Sequence, residues 1–427
     1  MLMAFLVEVL SYHPKYMEHF LQTHNAILRG DGPLSYPYRY IIAIIASGRH
    51  QCCCLMNMLK NEFIDHGGDP FWLEGLKAIP AKLQNLYEIN KILAHTPWLL
   101  NKCYIENLTK GEGNWSLSEL VHAIILLVHF HSLSTFLFSC GITKKLENLQ
   151  THSCEFNSKS AESLAVPDPE RPANSPVPIS RRSSQDEDSL SSSPPSIVGE
   201  QEVKLQTLME RMKDLSEKSD SFEFTEEELA KRFETIEKQS AELVVAPLRT
   251  NTVLEMDIGL FIEEPSYIYQ DFTKCGQLSE SLTFRVQDYS WADHGYSLVT
   301  SLYTDVGNLL DDKFKTAYNL TYKTMGEHSE VDTSRFRIAI WNYIQCLYGI
   351  KHDDYDYDEI NQLLEDSLKT FIKNAVCYPE RVTKKDYDRV MTEFKESEKV
   401  HVNLIIFEAR MQAELLYALR SMMHFMT

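Results

Sequence analysis

The sequence predicts an all-α protein. Apolar residues recur at three- and four-residue steps along most of the chain, and few segments alternate with the period of two that is typical of strands. Hydrophobic residues make up 44% of the 427 residues, with 16 Gly and 16 Pro, which is the composition of a folded globular protein. At roughly 100 to 200 residues per domain, this length predicts two or three helical domains.

An N-terminal helical domain is predicted over residues 1–142. Its helices should be interrupted at Gly- and Pro-containing breakers, as in a helical bundle. The breakers are Asp31-Gly32-Pro33, Gly67-Gly68 and Pro97. The longest apolar run, Leu120 to Cys140, approaches the length of a membrane span, but its three histidines and several serines favour a buried core helix. We therefore expect no membrane insertion.

A disordered linker is predicted over residues 143–202. Ser, Pro and acidic residues dominate there, so the segment cannot bury enough apolar surface to offset its ordering entropy. Helical periodicity returns at Val203, and two amphipathic connecting helices are expected within residues 203–251, with a capping box at Thr225. A C-terminal helical domain is predicted over residues 252–427.

The net charge of −19 argues against nucleic-acid and anionic-membrane partners, because both need a basic surface. The nine cysteines lack the paired spacing of a disulfide framework or a zinc site. This pattern indicates reduced thiols in a cytosolic or nuclear protein. No metal and no cofactor is expected.

Three consecutive cysteines, Cys52 to Cys54, follow Arg49 and His50. A thiol beside Arg and His can have a lowered pKa and act as a nucleophile. On a helix, however, facing side chains are three or four residues apart, so these cysteines should not face one another. A reactive Cys52 and a buried structural cysteine both stay open as interpretations.

A second candidate site is the acidic segment 353–359, which holds five carboxylates and no basic residue. It is either a surface for a basic partner or a solvated helix start, where the helix dipole favours acids. A calcium loop is disfavoured, because the mid-loop glycine and the distal Glu of an EF-hand are missing.

A third candidate site combines apolar and ionisable side chains. One stripe of a predicted helix, at steps of three, four and three residues, carries Met391, Phe394, Glu398 and His401. A second helix face carries Thr333 and Arg337. If the two faces meet, a cation, an anion and an apolar floor would complement a zwitterionic amino acid with an aliphatic side chain. The alternative is an interior ion pair between Arg337 and Glu398 without a ligand.

Motifs along nearly the whole chain resemble those of the sestrin family. They include RHQC, EINKILAH and WSLSEL in the first half, LMERM in the middle, and VQDYSWADHGYSL, AIWNYI, GIKHDDYDYDEINQLL and SEKVHVNL in the second half. The resemblance implies two related domains of the AhpD (alkyl hydroperoxidase-type) fold, joined by the linker and helices. It also implies a stress-induced cytoplasmic regulator that binds the second GATOR complex and restrains TOR complex 1, until leucine or a similar aliphatic amino acid releases that complex.

The resemblance further implies a role for individual residues. Glu398 would hold the amine of the amino acid and Arg337 its carboxylate. The polar lid would comprise Thr321, Tyr322, Thr324 and Thr333, and the pocket walls Phe336, Met391, Phe394 and His401. The surface for the GATOR partner would comprise Ser116, Asp353, Asp354 and Tyr355.

The chain departs from the family pattern at two places. Met391 stands where leucine-responsive members have Trp, and Phe336 replaces a Leu, so the apolar pocket should survive with a changed shape. Cys52 matches the reactive cysteine of the family, but the Tyr and His of its proton relay are here Cys54 and Leu59. A thiol-dependent alkyl hydroperoxide reductase acting through Cys52 is therefore the alternative function, with feeble activity expected.

Overall fold

Helices make up most of the chain in the computed structural model, as the helical periodicity predicts. The structure describes residues 1–110, 113–143, 195–218, 224–247, 256–272, 284–320 and 324–427. The all-α prediction is confirmed. The division into domains and the likeness of each half to the AhpD fold stay predictions.

In the N-terminal half, most of the described helices follow one another with connections of a few residues. Those of the N-terminal half are α1 (Leu2–Leu10), α2 (Pro14–Arg29), α3 (Tyr36–Arg49), α4 (Cys53–Asp65), α5 (Ala81–Gln84), α6 (Tyr87–His95), α7 (Lys102–Thr109) and α8 (Leu117–Ser139). The middle of the chain contributes α9 (Pro195–Lys218), α10 (Glu226–Glu242) and α11 (Met256–Gly259). The C-terminal half contains α12 (Tyr296–Leu302), α13 (Thr304–Asn319), α14 (Ser334–Leu347), α15 (Asp358–Leu363), α16 (Asp366–Cys377), α17 (Lys384–Arg389) and α18 (Glu396–Met426). Single turns of 3-10 helix cover Pro70–Glu74, Pro97–Leu99 and Pro379–Arg381, and a π-helical turn covers Trp291–Gly295.

The predicted breakers and caps lie where the helices end and begin. Helix α2 ends before Asp31-Gly32-Pro33, α4 ends before Gly67-Gly68, and α6 ends before Pro97. Thr225 and Glu228 form the expected capping box of α10. Helix α9 begins at Pro195 instead of Val203, within the predicted linker, most of which lies outside the described residues.

Helices α8 and α18 lie side by side in the centre of the protein. Helix α8 is long and apolar enough to cross a membrane, but its apolar window is fully buried within the protein. The predicted buried core helix is thus confirmed, because the other helices cover it on all sides. Helix α3 packs on α8, α14 packs on α18, and α2 packs on α13, so one apolar core runs through both halves.

The described short strands form two separate pairs. Strand β1 (Phe284–Arg285) pairs in parallel with β4 (Ile350–Lys351). Strands β2 (Thr324–Met325) and β3 (His328–Ser329) form an antiparallel hairpin, with Thr324 opposite Ser329. This β2–β3 hairpin lies against the first turn of α18, where the third candidate site is found.

Candidate functional site

Glu398 lies in the first turn of α18, and its side chain is only 5% exposed. Its carboxylate accepts hydrogen bonds from the backbone N–H groups of Lys395 and Gly326 and from the Thr324 hydroxyl, each at 2.9 Å. Because a buried carboxylate is costly unless its oxygens are hydrogen-bonded, these donors are what allow it to stay in the core. Two of the three donors come from the β2–β3 hairpin, so Glu398 fastens that hairpin to α18.

Gly326 is required at the tip of this hairpin. Its φ of +59° lies in the left-handed region, which glycine adopts without strain. A Cβ atom there would lie 2.7 Å from the Glu393 carbonyl oxygen and 2.7 Å from Leu205 Cδ2. The sequence signal was a glycine in a short polar stretch, which indicates a turn. The sequence could not show that the Gly326 N–H donates to Glu398.

Arg337 lies in the first turn of α14, after Thr333 at the N-cap, and it is buried. Its Nη1 donates to the backbone carbonyl of Tyr318 at 2.5 Å. His401 Nε2 lies 3.1 Å from the carbonyl oxygen of Ala317, and because a carbonyl only accepts, this nitrogen carries the hydrogen. Burial lowers the pKa of His401 to about 3, so the ring is neutral at physiological pH. Together the two side chains hold the last turn of α13.

A small cavity separates Glu398 from Arg337. Its volume is about 20 Å³. It is lined by Thr324, Met325, Thr333, Phe336, Arg337, Phe394, Glu398, His401, Val402 and Ile405. The structure thus brings together seven of the predicted pocket residues, and Met325, Val402 and Ile405 were missed because their spacing resembles ordinary core. Among the described residues, no ion pair joins Arg337 to Glu398, so the predicted interior salt bridge is not formed.

Met391 lies just outside this small cavity. It lines a neighbouring cavity together with Phe336 and Phe394, whose rings pack edge to face with centroids 5.7 Å apart. Met391 and Phe394 precede α18, which begins at Glu396, so the predicted helical stripe over residues 391–401 is wrong at its first two positions, because the φ of +53° at Met391 is incompatible with a right-handed helix.

Thr321 and Tyr322, the other two predicted lid residues, lie outside the described residues. Their assignment to the lid stays a prediction.

The acidic segment 353–359 differs from the expected uncompensated loop. Three of its five carboxylates are paired with cations that are distant along the chain or lie outside the segment. Asp353 pairs with Lys351 at 2.8 Å and with Arg285 at 3.6 Å, Asp356 pairs with Arg232, and Glu359 pairs with Arg335 at 2.7 Å. The expectation of no basic compensation is therefore wrong for these three, because the fold brings up three distant arginines and Lys351 lies just before the segment.

Asp354 and Tyr355 line an open groove of about 490 Å³. Asp354 is exposed, and within the described part of the chain no cation forms an ion pair with it. The aromatic walls of the groove include Tyr318 and Trp341, which pack edge to face with ring centroids 5.2 Å apart. Asp353 is buried beside the groove and does not line it, so Asp354 offers the accessible charge.

Ser116 is the exposed N-cap of α8. Its hydroxyl accepts from the backbone of Glu119, whose side chain in turn accepts from the Ser116 N–H, forming a capping box. Ser116 does not line the groove of Asp354. The structure therefore does not bring all four predicted docking residues into one surface depression.

Cys52 immediately precedes α4, and its thiol is fully buried. Burial raises the pKa of this thiol well above its usual range, the opposite of activation. The predicted activators bond elsewhere: Arg49 donates to the carbonyls of Glu263 and Tyr267, and His50 accepts from Arg410. Within the described ranges, no three His, Cys, Asp or Glu side chains are grouped to hold a metal ion.

The expected geometry of the cysteine cluster is wrong. The sulfur atoms of Cys52 and Cys54 are 3.8 Å apart, although residues two apart cannot face each other on a helix. Cys52 stands before the helix at its N-cap, with φ −85° and ψ 79°, so the helical spacing rule does not apply to it.

Comparison with known proteins gives one consistent result. The family model described as PA26 p53-induced protein (sestrin) matches residues 3–426. A sestrin homolog of Drosophila melanogaster is 49% identical, with the alignment covering 99% of this chain and 92% of the relative. Sestrin-1 of Xenopus laevis is 48% identical over 98% of this chain and 84% of the relative, and human sestrin-2 is 46% identical over 99% and 84%.

Proposed function

The chain belongs to the sestrin family of p53-induced proteins, and from this premise we propose that it is a stress-responsive negative regulator of TOR complex 1 signalling. In the proposal, the protein binds and inhibits the second GATOR complex when amino acid is scarce. Leucine, or a similar aliphatic amino acid, binds the C-terminal half and releases that complex. The proposed place of action is the cytoplasm, with the nucleus as a second location.

The observation that carries the proposal is the pair of buried, oppositely charged side chains on either side of an apolar cavity. Glu398 and Arg337 are 5% and 6% exposed, yet each bonds mainly to backbone groups and a hydroxyl instead of to the other. An amino acid offers an ammonium for Glu398 and a carboxylate for Arg337. Each new bond would join two opposite charges, whereas each bond that it replaces has only one charged partner.

The cavity must widen before an amino acid can enter. A volume of about 20 Å³ has room for about one water molecule. The β2–β3 hairpin, which bonds Glu398, supplies Thr324 and Met325 to the cavity wall, and Arg337 bonds the last turn of α13. Because the ligand would compete for Glu398 and Arg337, its binding would release the hairpin and the last turn of α13 from these two side chains.

Tyr318 supports a connection between the amino-acid site and the partner surface. Its carbonyl accepts from Arg337, while its ring packs against Trp341 in the wall of the groove that also contains Asp354. A ligand carboxylate that draws Arg337 away from Tyr318 would free a residue that shapes this groove. Such a change is a physical route by which amino acid could lower the affinity for the partner.

Calorimetric titration of the purified protein with leucine tests the sensor. We expect wild type to bind, and Glu398→Gln and Arg337→Ala to bind about 10- to 100-fold more weakly, because each loses a charge-assisted hydrogen bond. The matched control is Glu396→Gln, since Glu396 lies on the same helical turn and bonds the Tyr387 hydroxyl outside the cavity. If wild type binds no amino acid at millimolar concentration, the sensor is excluded and only a constitutive inhibitor remains.

Co-purification of the second GATOR complex tests the docking surface. We expect Asp354→Lys to abolish it and to leave leucine binding unchanged. Asp358→Lys is the control, because Asp358 is exposed in the same segment but does not line the groove. Charge reversal at Asp353 is less informative, since it would place two or three cations together in a buried site. Unchanged co-purification by Asp354→Lys would contradict the docking assignment.

A further inference from the structure

The small amino-acid cavity has a larger neighbour, which we call the outer cavity. The outer cavity has a volume of about 230 Å³ and lies between α9 and the α15–α16 region. Phe336 and Phe394 line both cavities, and Met391 lines the outer one beside them. The two spaces are therefore separated by a partition that is one side chain thick.

The inner part of the outer cavity is apolar. It is lined there by Leu205, Leu208, Leu364 and Leu368. Three of these leucines are at most 6% exposed. The polar members, such as Lys204 and Arg211, are exposed and stand at its solvent side. A space with leucine walls next to the amino-acid pocket is suited to a hydrocarbon chain, because each buried methylene is favourable.

Met391 is the movable part of the partition. The rings of Phe336 and Phe394 hold each other edge to face, and Phe336 is 3% exposed, so these two walls are fixed. Met391 has an unbranched, flexible thioether side chain that readily repacks. It stands in the turn between α17 and α18 with φ +53°, a left-handed backbone that is uncommon outside glycine. Its place at the partition is thus imposed by the surrounding structure.

We propose that the outer cavity is a second subsite of the amino-acid pocket and receives the end of a long, unbranched aliphatic side chain. The inference rests on the proposed function, since Glu398 and Arg337 must hold the two charged groups of the ligand. A straight chain passes the displaced thioether of Met391 and enters between Leu208 and Leu364. The branched end of leucine stays in the inner cavity. The protein would then accept amino acids that are longer than leucine.

A homologous series of amino acids tests this subsite. The probes are leucine, norleucine, 2-aminoheptanoate and 2-aminooctanoate, titrated calorimetrically into the full-length protein. We expect affinity to rise roughly fourfold for each methylene added beyond norleucine, the factor for burying one CH₂ group. In a pocket closed behind Met391, affinity would instead fall as the chain lengthens.

Two variants fill the outer cavity from different sides without touching the partition. Leu208→Trp fills it from α9, and Leu368→Phe fills it from α16. Each variant should abolish the rise in affinity with chain length and leave the affinity for leucine unchanged. Met209→Trp is the matched control, because Met209 lies next to Leu208 on α9 but does not line the cavity. It should retain the gain.

The outcomes separate this inference from the proposed function. If no probe binds wild type, the amino-acid sensor itself is excluded. If leucine binds but affinity falls beyond norleucine, the sensor stands and the second subsite is overturned. If affinity rises with chain length equally in wild type, Leu208→Trp and Leu368→Phe, the chain end lies elsewhere and the subsite is again overturned.

Discussion

The long C-terminal helix α18 carries two buried polar clusters that differ in what their charges touch. In the middle of the helix, Arg410 pairs with Glu414 at 2.8 Å, and Glu414 also bonds His131 at 2.8 Å. Near its start, Glu398 bonds hairpin donors, and His401 bonds a backbone carbonyl beside a cavity. One helix therefore supports an ion network and, three turns earlier, a candidate ligand site.

The middle cluster is closed, because its charged groups bond one another and other buried side chains. His131 bonds Asn90 at 2.8 Å, Arg410 bonds His50 at 2.7 Å, and the charged side chains are fully buried. These partners lie in core helices or, for His50, at the C-cap directly after α3, so exchanging one bond would leave a charge unpaired. At the helix start, by contrast, the partners of Glu398 and His401 belong to a short hairpin and to the last turn of α13. A buried charged side chain thus indicates a ligand site only where a ligand could replace its hydrogen-bond partners.

The largest predicted effect concerns the closed cluster. Arg410→Met keeps the apolar stem and removes the charge, leaving Glu414 buried without its cation. We expect the free energy of unfolding in urea to fall by about 3 to 5 kcal/mol. Lys384→Ala, which removes an exposed pair with Asp388, should cost less than about 1 kcal/mol.

A second substitution in the same cluster sharpens this test. Arg410→Met combined with Glu414→Leu leaves neither ion unpaired, so part of the lost stability should return. A cost below about 1 kcal/mol for Arg410→Met alone would show that the network is not closed.

The next effect concerns Cys52, which adjoins the closed cluster through His50. Its raised pKa and full burial predict that iodoacetamide labels it on the order of 100-fold more slowly than the exposed Cys103 at pH 8. Peptide mapping by mass spectrometry distinguishes the two sites, with Cys52→Ser as the control. Rapid turnover of an alkyl hydroperoxide that depends on Cys52 would contradict the assignment of Cys52 as a buried, unreactive thiol and would favour the reductase function.

These differences also show what could be predicted from sequence. The helix ends at Gly67-Gly68 and Pro97 and the capping box at Thr225 follow from rules that act over a few residues, and all are confirmed. Glu398 and Arg337 do meet at one cavity, as their helical spacing predicted, but the predicted stripe extended too far, because Met391 and Phe394 lie in the turn before α18.

What sequence could not show depends on contacts between distant segments. Arg232 compensates Asp356 from a helix more than a hundred residues away. The Gly326 N–H reaches Glu398 only because the β2–β3 hairpin folds onto α18. The approach of Cys52 to Cys54 depends on where α4 begins, and helix boundaries are the least predictable feature of a helix.

The third prediction compares how completely water is excluded from His401 at the cavity and from His122 in the core. Burial lowers the pKa of His122 in α8 and of His401 at the cavity to about 3, below the value of about 6.5 expected for the unfolded chain. The unfolded state therefore binds more protons below pH 6.5, and stability falls as the pH falls. Each histidine should contribute roughly 1 kcal/mol per pH unit between pH 6 and 5.

Urea unfolding at several pH values measures this contribution. His122→Gln and His401→Gln should reduce the slope of unfolding free energy against pH by the same amount. At pH 8, which lies above the pKa of both histidines in the folded and in the unfolded state, the slope should match that of wild type. A smaller reduction for His401→Gln would show that water reaches the cavity in the folded protein, and would strengthen the contrast between the two clusters.

Among the buried residues of α18, the smaller predicted effect on stability belongs to Glu398, although its effect on ligand binding is among the largest. Glu398→Gln keeps the size of the side chain and one acceptor oxygen for the hairpin donors. We expect a loss of about 1 kcal/mol in urea unfolding, the value of one hydrogen bond. Arg410→Met should therefore cost several times more, although both residues are buried in the same helix. If Glu398→Gln instead costs as much as Arg410→Met, Glu398 is a structural member of a second closed cluster, and its bonds with Thr324 and Gly326 are not exchangeable for a ligand amine.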